Sequence, residues 1–302
     1  EEQDVDLVVF PEMAITGYPP EDLLLKPSFI NENLKCLEKI ASNTDDLIVA
    51  LGFVDKDPKG IYNALAILTN KKIEYVHHKL HLPNYGVFDE KRYFKPGSLN
   101  SLLKAKDFSF AVNICEDLWA QEDVANEKVL QSAQFLVNIS ASPYHIGKIE
   151  ERRKVLTQKA KKFKCSIVYC NLIGGQDELI FDGRSLVVGK DGKLVISGNA
   201  FEDDLVVFDL PLGPKKKNKL PSKRKAIHID YKIKDKKHPV AIQEPIKDMK
   251  MVEEVYSALV LGVRDYVKKN NFKKVAFGLS GGIDSALVAS LSVDAIGKAN
   301  VL

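Results

Sequence analysis

Three residues carry side chains suited to a single reaction: Glu12, Lys79 and Cys115. Cys115 closes the apolar run Phe110-Ala-Val-Asn-Ile and is followed by Glu-Asp-Leu-Trp119, so its thiol sits where a buried strand gives way to a turn. Glu12 follows a strand over residues 5–10, which Pro11, Gly17 and the two prolines after Tyr18 prevent from continuing. Lys79 follows a strand over 73–78. Open α/β sheets gather their sites at the carboxyl ends of strands, and all three residues stand there. A thiol attacks as thiolate, so it needs a base and a cation nearby. In acyl transfer from an amide, Glu12 would take the proton and the Lys79 ammonium would face the oxyanion of the tetrahedral intermediate. The backbone N–H after Cys115 would be a second donor. Each residue also has a plainer reading: buried cysteine is usually a small core hydrophobe, and Glu12 with Lys79 would make a buried ion pair. A Cys/His pairing with His145 is the rival chemistry, although no papain-type signature surrounds Cys115. Catalysis asks that Cys115 be open to a substrate and within hydrogen-bond reach of Glu12 and Lys79.

The elements that must position these groups alternate between strand and helix. Residues 29–42 form a helix with Ile30, Leu34, Leu37 and Ile40 at helical spacing, and Cys36 reads as core beside them. Strands follow over 47–54, 62–68 and 73–78, then a long aromatic loop over 80–94 of the kind that is usually functional. After Cys115 come a helix over 121–132, a buried strand over 135–140, and the turn Ala141-Ser142-Pro-Tyr-His145. The helix built on Ile149, Leu156, Ala160 and Phe163 turns its charged face to solvent. A strand over 166–173 makes Cys170 core, a loop over 174–178 leads to a strand from Leu179, and an antiparallel run covers 185–189, 194–197 and 205–210. From Pro211 the chain turns to proline, glycine and lysine and reads as a linker. A second unit then begins: an amphipathic helix carrying Val252, Val255, Leu259, Val263 and Val267, a strand over 274–279, the loop 280–285 and a helix over 286–296.

Composition narrows the function classes. The chain has 302 residues, 45% of them apolar, enough for a substantial core in one or two domains. No run of apolar residues is long enough to span a bilayer, and the first residues, Glu-Glu-Gln-Asp, lack the basic start of a signal peptide, so a cytoplasmic protein is expected. Four cysteines without a C-x-x-C pair argue against a disulfide framework or a zinc site. His77, His78 and His81 lack the carboxylate that would complete a metal set, and adjacent strand residues point opposite ways. Residues 215–237 hold eleven Lys or Arg against two Asp, a net of +9 within a chain total of +3, which leaves −6 elsewhere. A mildly acidic body with one basic segment does not suit nucleic acid.

Ser280-Gly281-Gly282-Ile283-Asp284-Ser285 lacks the G-K-[ST] ending of a Walker A loop. Small residues between a strand and a helix N-terminus still let backbone N–H groups and the helix dipole hold a phosphate.

Phe10-Pro-Glu12 with Thr-Gly-Tyr18 after it, His78-Lys79, Pro83-Asn-Tyr85-Gly-Val-Phe-Asp-Glu90 and Asn113-Ile-Cys115-Glu-Asp resemble the Glu-Lys-Cys core of the nitrilase superfamily. More narrowly, Gly-Tyr-Pro-Pro-Glu-Asp-Leu-Leu and Gly-Gly-Gln-Asp-Glu-Leu-Ile-Phe-Asp-Gly resemble the glutaminase domain of the glutamine-dependent NAD synthetase family. The resemblance implies an α/β fold: a four-layer α-β-β-α sandwich over residues 1–212, a basic linker over 213–240, and over 241–302 the start of a Rossmann-like ATP-pyrophosphatase domain. The sandwich would lack its usual first strand and helix, and the second domain would reach only its first strand, loop and helix. It further implies that Glu12 is the general base, Cys115 the nucleophile forming a glutamyl thioester, and Lys79 the oxyanion stabiliser. Glu90 would support the lysine and the substrate amide, while Tyr18, Tyr85 and Ser142 would line the glutamine pocket. Residues 280–285 resemble a pyrophosphate loop, with Asp284 a ligand of Mg²⁺; ATP and Mg²⁺ would serve the second half and no cofactor the first. Glutamine, deamido-NAD and ATP are then the substrates, and the ammonia amidates adenylated deamido-NAD in a homo-oligomeric enzyme. The alternative is a stand-alone nitrilase-type amidase, for which a phosphate loop has no use.

Overall fold

The computed structural model describes residues 4–121, 124–214, 216, 220–221, 224, 226–234, 240 and 248–302, so parts of the basic linker expected over 213–240 lie outside the described residues. A first sheet runs β1 (Leu7–Val9), β2 (Ile48–Asp57), β3 (Gly60–Thr69) and β4 (Lys72–His78) in that spatial order, with helix α1 (Pro27–Ser42) between the first two strands. β1 lies parallel to β2, and the other neighbours are antiparallel. The chain continues through α2 (Glu90–Tyr93), β5 (Leu102–Lys104), β6 (Ser109–Ile114), α3 (Glu116–Trp119), α4 (Val124–Ser132), β7 (Phe135–Ser140), α5 (Lys148–Phe163) and β8 (Ser166–Asn171). A hairpin of β9 (Ile173–Gln176) and β10 (Leu179–Asp182) precedes β11 (Leu186–Val188) and β12 (Leu194–Ser197), and β13 (Ala226–His228) comes from the basic segment. The second sheet has the order β12-β11-β8-β7-β6-β5-β13, with β6, β7 and β8 parallel.

The layers follow from which face of each strand is apolar. Ile48, Ala50, Leu65 and Ile67 of the first sheet meet Phe110, Val112, Ile114, Phe135, Val137 and Ile139 of the second in one buried core. Phe110 and Phe135 stack there with ring centroids 5.4 Å apart. Each such side chain contributes about 1.5–3 kcal/mol by leaving water. The outer face of the first sheet takes α1 through Leu37 and Ala41. That of the second takes α4 and α5 through Val129, Leu130, Leu156, Ala160 and Phe163. The result is the α-β-β-α order expected. β6 and β7 are buried along their whole length, which is why they read as unbroken apolar runs.

The second unit begins with α6 (Met251–Lys269) and α7 (Ile283–Ile296). α6 buries Glu254, Ala258, Leu261 and Val267 at helical spacing, with acidic residues in its first turn and lysines in its last, as the helix dipole favours. It lies on the β9–β10 hairpin: the Gly175 N–H donates to Asp265 Oδ2 at 2.8 Å, and Arg184 Nη1 pairs with Glu254 Oε1 at 2.8 Å. No helix among the described residues is long and apolar enough to cross a membrane.

Several expectations are corrected. Residues 274–279 form no extended strand; Val275 makes one bridge with Val301, and the Phe277 N–H donates to Leu302 O at 3.3 Å. Residues 205–210 are not a strand, and Leu205 is exposed. The expected loop at 174–178 instead pairs as β9 with β10. Cys36 is exposed, since the buried face of α1 runs through Ile30, Asn33, Leu37 and Ala41, a hundred-degree step away. The basic segment has a core to bury: β13 extends the second sheet beside β5, and Ile229 and Tyr231 are buried after it.

The turn that carries Glu12 lies directly on β2. A Cβ on Gly52 would overlap the Pro11 carbonyl oxygen and the Met13 nitrogen, backbone atoms with no side-chain freedom to yield. We expect Gly52→Ala to lower unfolding free energy by about 1–3 kcal/mol, read as a shift of the urea midpoint. Gly278→Ala, where nothing lies near the added carbon, should leave the midpoint in place.

Candidate active site

Strand ends deliver the reactive groups to one edge of the sandwich. β1 and β4 run in the same sense and end at Glu12 and Lys79, while β6, β7 and β8 end at Cys115, Ala141–Ser142 and Asn171. The Lys79 N–H donates to the Asn63 carbonyl at 2.9 Å, continuing the β3–β4 ladder past its last pair. Cys115 has φ +42° and ψ −101°, a conformation costly for any residue with a Cβ. Its N–H bonds Ile139 O at 2.8 Å and its carbonyl accepts from Leu118 N at 3.0 Å, so both sides hold the strained turn.

Glu12, Lys79 and Glu90 form a buried charge cluster. Lys79 Nζ donates to Glu12 Oε1 and to Glu90 Oε1, each at 2.7 Å. Asn63 Nδ2 donates to Glu12 Oε1 at 2.6 Å and lies 3.4 Å from Glu90 Oε2. The Tyr18 hydroxyl donates to Glu90 Oε1 at 2.9 Å, and the Ala141 N–H to Glu12 Oε2 at 2.7 Å. Glu12 and Lys79 are at most 1% exposed, so these bonds replace all the water that would otherwise solvate the charges. Burial works against the Lys79 ammonium, but the two carboxylates outweigh it and hold its pKa well above the usual lysine range. Burial pushes Glu90 up to about 7, with Glu12 adding to the shift and Lys79 opposing it.

Cys115 meets neither of the two conditions that catalysis asks of it. It is 4% exposed, and among the described residues its Sγ makes no hydrogen bond to Glu12 or Lys79. Burial, and then the charge of Glu12, raise its pKa against the pull of Lys79, which describes a protonated thiol at rest. Catalytic hydrogen bonds are often long before substrate arrives. What singles this sulfur out from core cysteines is its strained turn within the field of three charged groups.

The other expected residues are placed as follows. Tyr18 joins the cluster through Glu90. Tyr85 is 58% exposed and its hydroxyl donates to Glu116 Oε2 at 2.9 Å, on the rim beside the residue after Cys115. Ser142 is buried and held on all sides: its N–H donates to Asn171 Oδ1 at 3.0 Å, and its carbonyl accepts from Arg152 Nη2 at 2.8 Å. His145 is exposed and faces Ile146 O and Glu151 rather than Cys115, so the Cys/His arrangement is not formed. His77 lies against Asp117 and His78 against Asp55, and no group of three metal-ligating side chains occurs among the described residues. Residues 280–285 are separate from this cluster: the loop is exposed, Gly281 has φ +84°, and Ser285 Oγ donates to Gly282 O at 2.9 Å. Asp284 is exposed in the first turn of α7. The exposed Asp284 carboxylate beside this glycine turn is a donor of the kind Mg²⁺ takes, since that ion uses one or two carboxylates and completes its shell with phosphate and water.

Sequence reasoning missed Asn63 and Arg152. Asn63 is a lone polar residue inside the buried run Tyr62-Asn-Ala-Leu-Ala, and that interruption was a usable signal. Arg152 corrects the solvated reading of α5: it is 0% exposed and pairs with Asp182 at 2.7 Å while holding Ser142. Nothing in its helical spacing set it apart from its charged neighbours.

Comparison with known proteins follows the same division. The family model described as carbon-nitrogen hydrolase matches residues 1–214, and that described as NAD synthase matches residues 255–302. The glutamine-dependent NAD(+) synthetase of Thermotoga maritima is 42% identical over 100% of this chain and 54% of its own length. That of Aquifex aeolicus is 41% identical over 98% of the chain and 54% of its own length. The chain thus spans about half the length of the curated relatives it matches. Among solved structures, a glutamine-dependent NAD+ synthetase from Acinetobacter baumannii in complex with adenosine diphosphate superposes with a TM-score of 0.82 at 36% identity, covering 99% of this chain and 52% of that one. An amidase of the nitrilase superfamily from Nesterenkonia shares the fold, with a TM-score of 0.56 at 21% identity over 66% of this chain and 75% of its own.

The raised pKa of Glu90 has a thermodynamic sign. The folded protein keeps a proton on Glu90 that the unfolded chain releases above about pH 4.5, so this contribution to stability is complete below that pH and is lost as pH rises through about 7. Glu90→Gln should therefore flatten the fall in unfolding free energy across that window, measured by urea melts at a series of pH values. An equally steep fall in the variant would contradict the assignment.

Proposed function

We propose, from the premise that this chain belongs to the carbon-nitrogen hydrolase family, that residues 1–212 release ammonia from glutamine for use by a synthetase domain that begins within 241–302. The observation that carries this is the delivery of Cys115 and the buried Glu12–Lys79–Glu90 cluster to one edge of the sandwich. The thiol is protonated at rest, so attack and deprotonation must be coupled. Glu12 takes the proton as Sγ bonds to the side-chain carbonyl carbon, and the Lys79 ammonium lies against the oxygen that gains charge. Collapse of the tetrahedral intermediate breaks the C–N bond, and Glu12 returns the proton to the leaving nitrogen. Water activated by the same carboxylate then cleaves the thioester to glutamate. Glu90, through Lys79 and Tyr18, keeps the ammonium from swinging out of place, and Tyr85 and Ser142 frame the glutamine pocket.

The second half rests on the loop at 280–285 and on the match to NAD synthase. Ser280, Gly281, Gly282, Ile283 and Ser285 would hold the phosphates of ATP and Asp284 would hold Mg²⁺, which supplies charge neutralisation at the phosphates. The carboxylate of deamido-NAD would attack the α-phosphate of ATP and be adenylated with pyrophosphate leaving, and ammonia would then displace AMP to give the amide. A cytoplasmic homo-oligomer acting without nucleic acid or membrane, and with no cofactor in the glutaminase half, completes the proposal. A stand-alone amidase leaves both the loop and that second match without a purpose.

In the full-length protein, Cys115→Ala should lower glutamine-driven NAD formation by more than about a thousandfold, the scale seen when a nucleophile is removed. The same variant supplied with ammonium should form NAD at the unaltered rate. Equal loss of both activities would sink this division of labour.

A further inference from the structure

Asp117 is 0% exposed, and its carboxylate joins the two sheets at the reactive edge. Oδ1 accepts from the backbone N–H groups of Leu80 at 2.9 Å and His81 at 2.8 Å, the two residues after Lys79. Oδ2 accepts from the N–H of Ile114 at 3.1 Å, the residue before Cys115, and lies 3.4 Å from His77 Nε2 on β4. One side chain thus grips the chain beside the cation and the chain beside the nucleophile. We infer that Asp117 is a positioning residue that sets the separation of Lys79 from Cys115, an inference that rests on the reaction proposed above.

The physical case is one of geometry. Leu80 and His81 leave the first sheet after β4, and their N–H groups have no strand to pair with; a carboxylate is the acceptor that can take both on one oxygen. Ile114 and Cys115 belong to the second sheet, where Cys115 is already strained. Apolar packing between the sheets tolerates sliding by fractions of an ångström, whereas charge-assisted hydrogen bonds in a dry interior do not. Acyl transfer needs the oxyanion donor within a narrow distance of the carbon under attack, and a misplacement of about 1 Å can cost a hundredfold in rate.

Asp117→Asn keeps the shape but turns one acceptor into an amide N–H₂ that faces backbone donors. In the full-length enzyme we expect kcat for glutamine hydrolysis to fall about 100-fold, with KM for glutamine and ammonium-driven NAD formation unaltered. Alkylation of Cys115 by iodoacetamide, followed by mass spectrometry of its peptide, involves no oxyanion and should change far less than kcat, since only the pull of Lys79 on the thiol is altered. Asp117→Glu, which retains the charge but moves it by one methylene, should show the same split. An unaltered kcat in both variants, alkylation falling in step with kcat, or failure of both variants to fold would overturn the assignment. Absence of glutamine hydrolysis by the unsubstituted enzyme would instead overturn the proposed function itself.

Discussion

The site depends on an ammonium held in a place without water. Lys79 is fully enclosed, and a buried cation is tolerable only where its hydrogen bonds and its countercharge are both supplied. Glu12 and Glu90 supply them, but two carboxylates around one cation leave an excess negative charge. Asn63, Tyr18 and the Ala141 N–H meet that excess with donors. The raised pKa of Glu90 comes first from its burial, with the charge of Glu12 adding to it and Lys79 opposing it. Each partner comes from a different part of the chain, so the arrangement exists only when the first sheet, the 80–94 loop and the end of β7 have all docked.

The two sheets meet at this edge through reciprocal reach. Glu12 follows a strand of the first sheet and accepts from the backbone of the second at Ala141. Asp117 follows a strand of the second and accepts from the backbone of the first at Leu80 and His81. The apolar core between the sheets supplies cohesion without direction, and the carboxylates supply direction. The strained backbone at Cys115 is affordable only within such an over-determined setting.

The strands that form the core were legible because burial on both faces writes an unbroken apolar run, as in β6 and β7. The strand-end position of Cys115 was legible for the same reason, whereas Glu12 and Lys79 follow the partly buried strands β1 and β4 and were placed by the turn and loop residues after them. Their convergence was not legible, because spacing along a chain carries no distance between sheets, and the family resemblance provided it. Where periodicity failed, a partner decided the outcome. Val275 makes a single bridge with Val301 and residues 205–210 pair with no strand among the described residues, so apolar alternation there did not build a sheet. Arg152 and Asp182 are charged residues buried against each other, a pairing that composition disguises as two solvated charges. The lysine-rich segment hid Ile229 and Tyr231, a small apolar payload that suffices to dock it.

The seating of α6 on the β9–β10 hairpin bears on where one module ends and the next begins. Ile173 and Ile180 of the hairpin, with Tyr144 and Phe201 beside it, form one apolar cluster with Ala258 and Leu261 of α6. Tyr144 N in turn donates to Ile180 O at 2.7 Å, two residues beyond Ser142. A chain severed at residue 212 would bare that cluster to water close to Ser142 and would also lose the edge strand β13. The covalent boundary between the halves is therefore not their packing boundary: the first half borrows part of its core from the second.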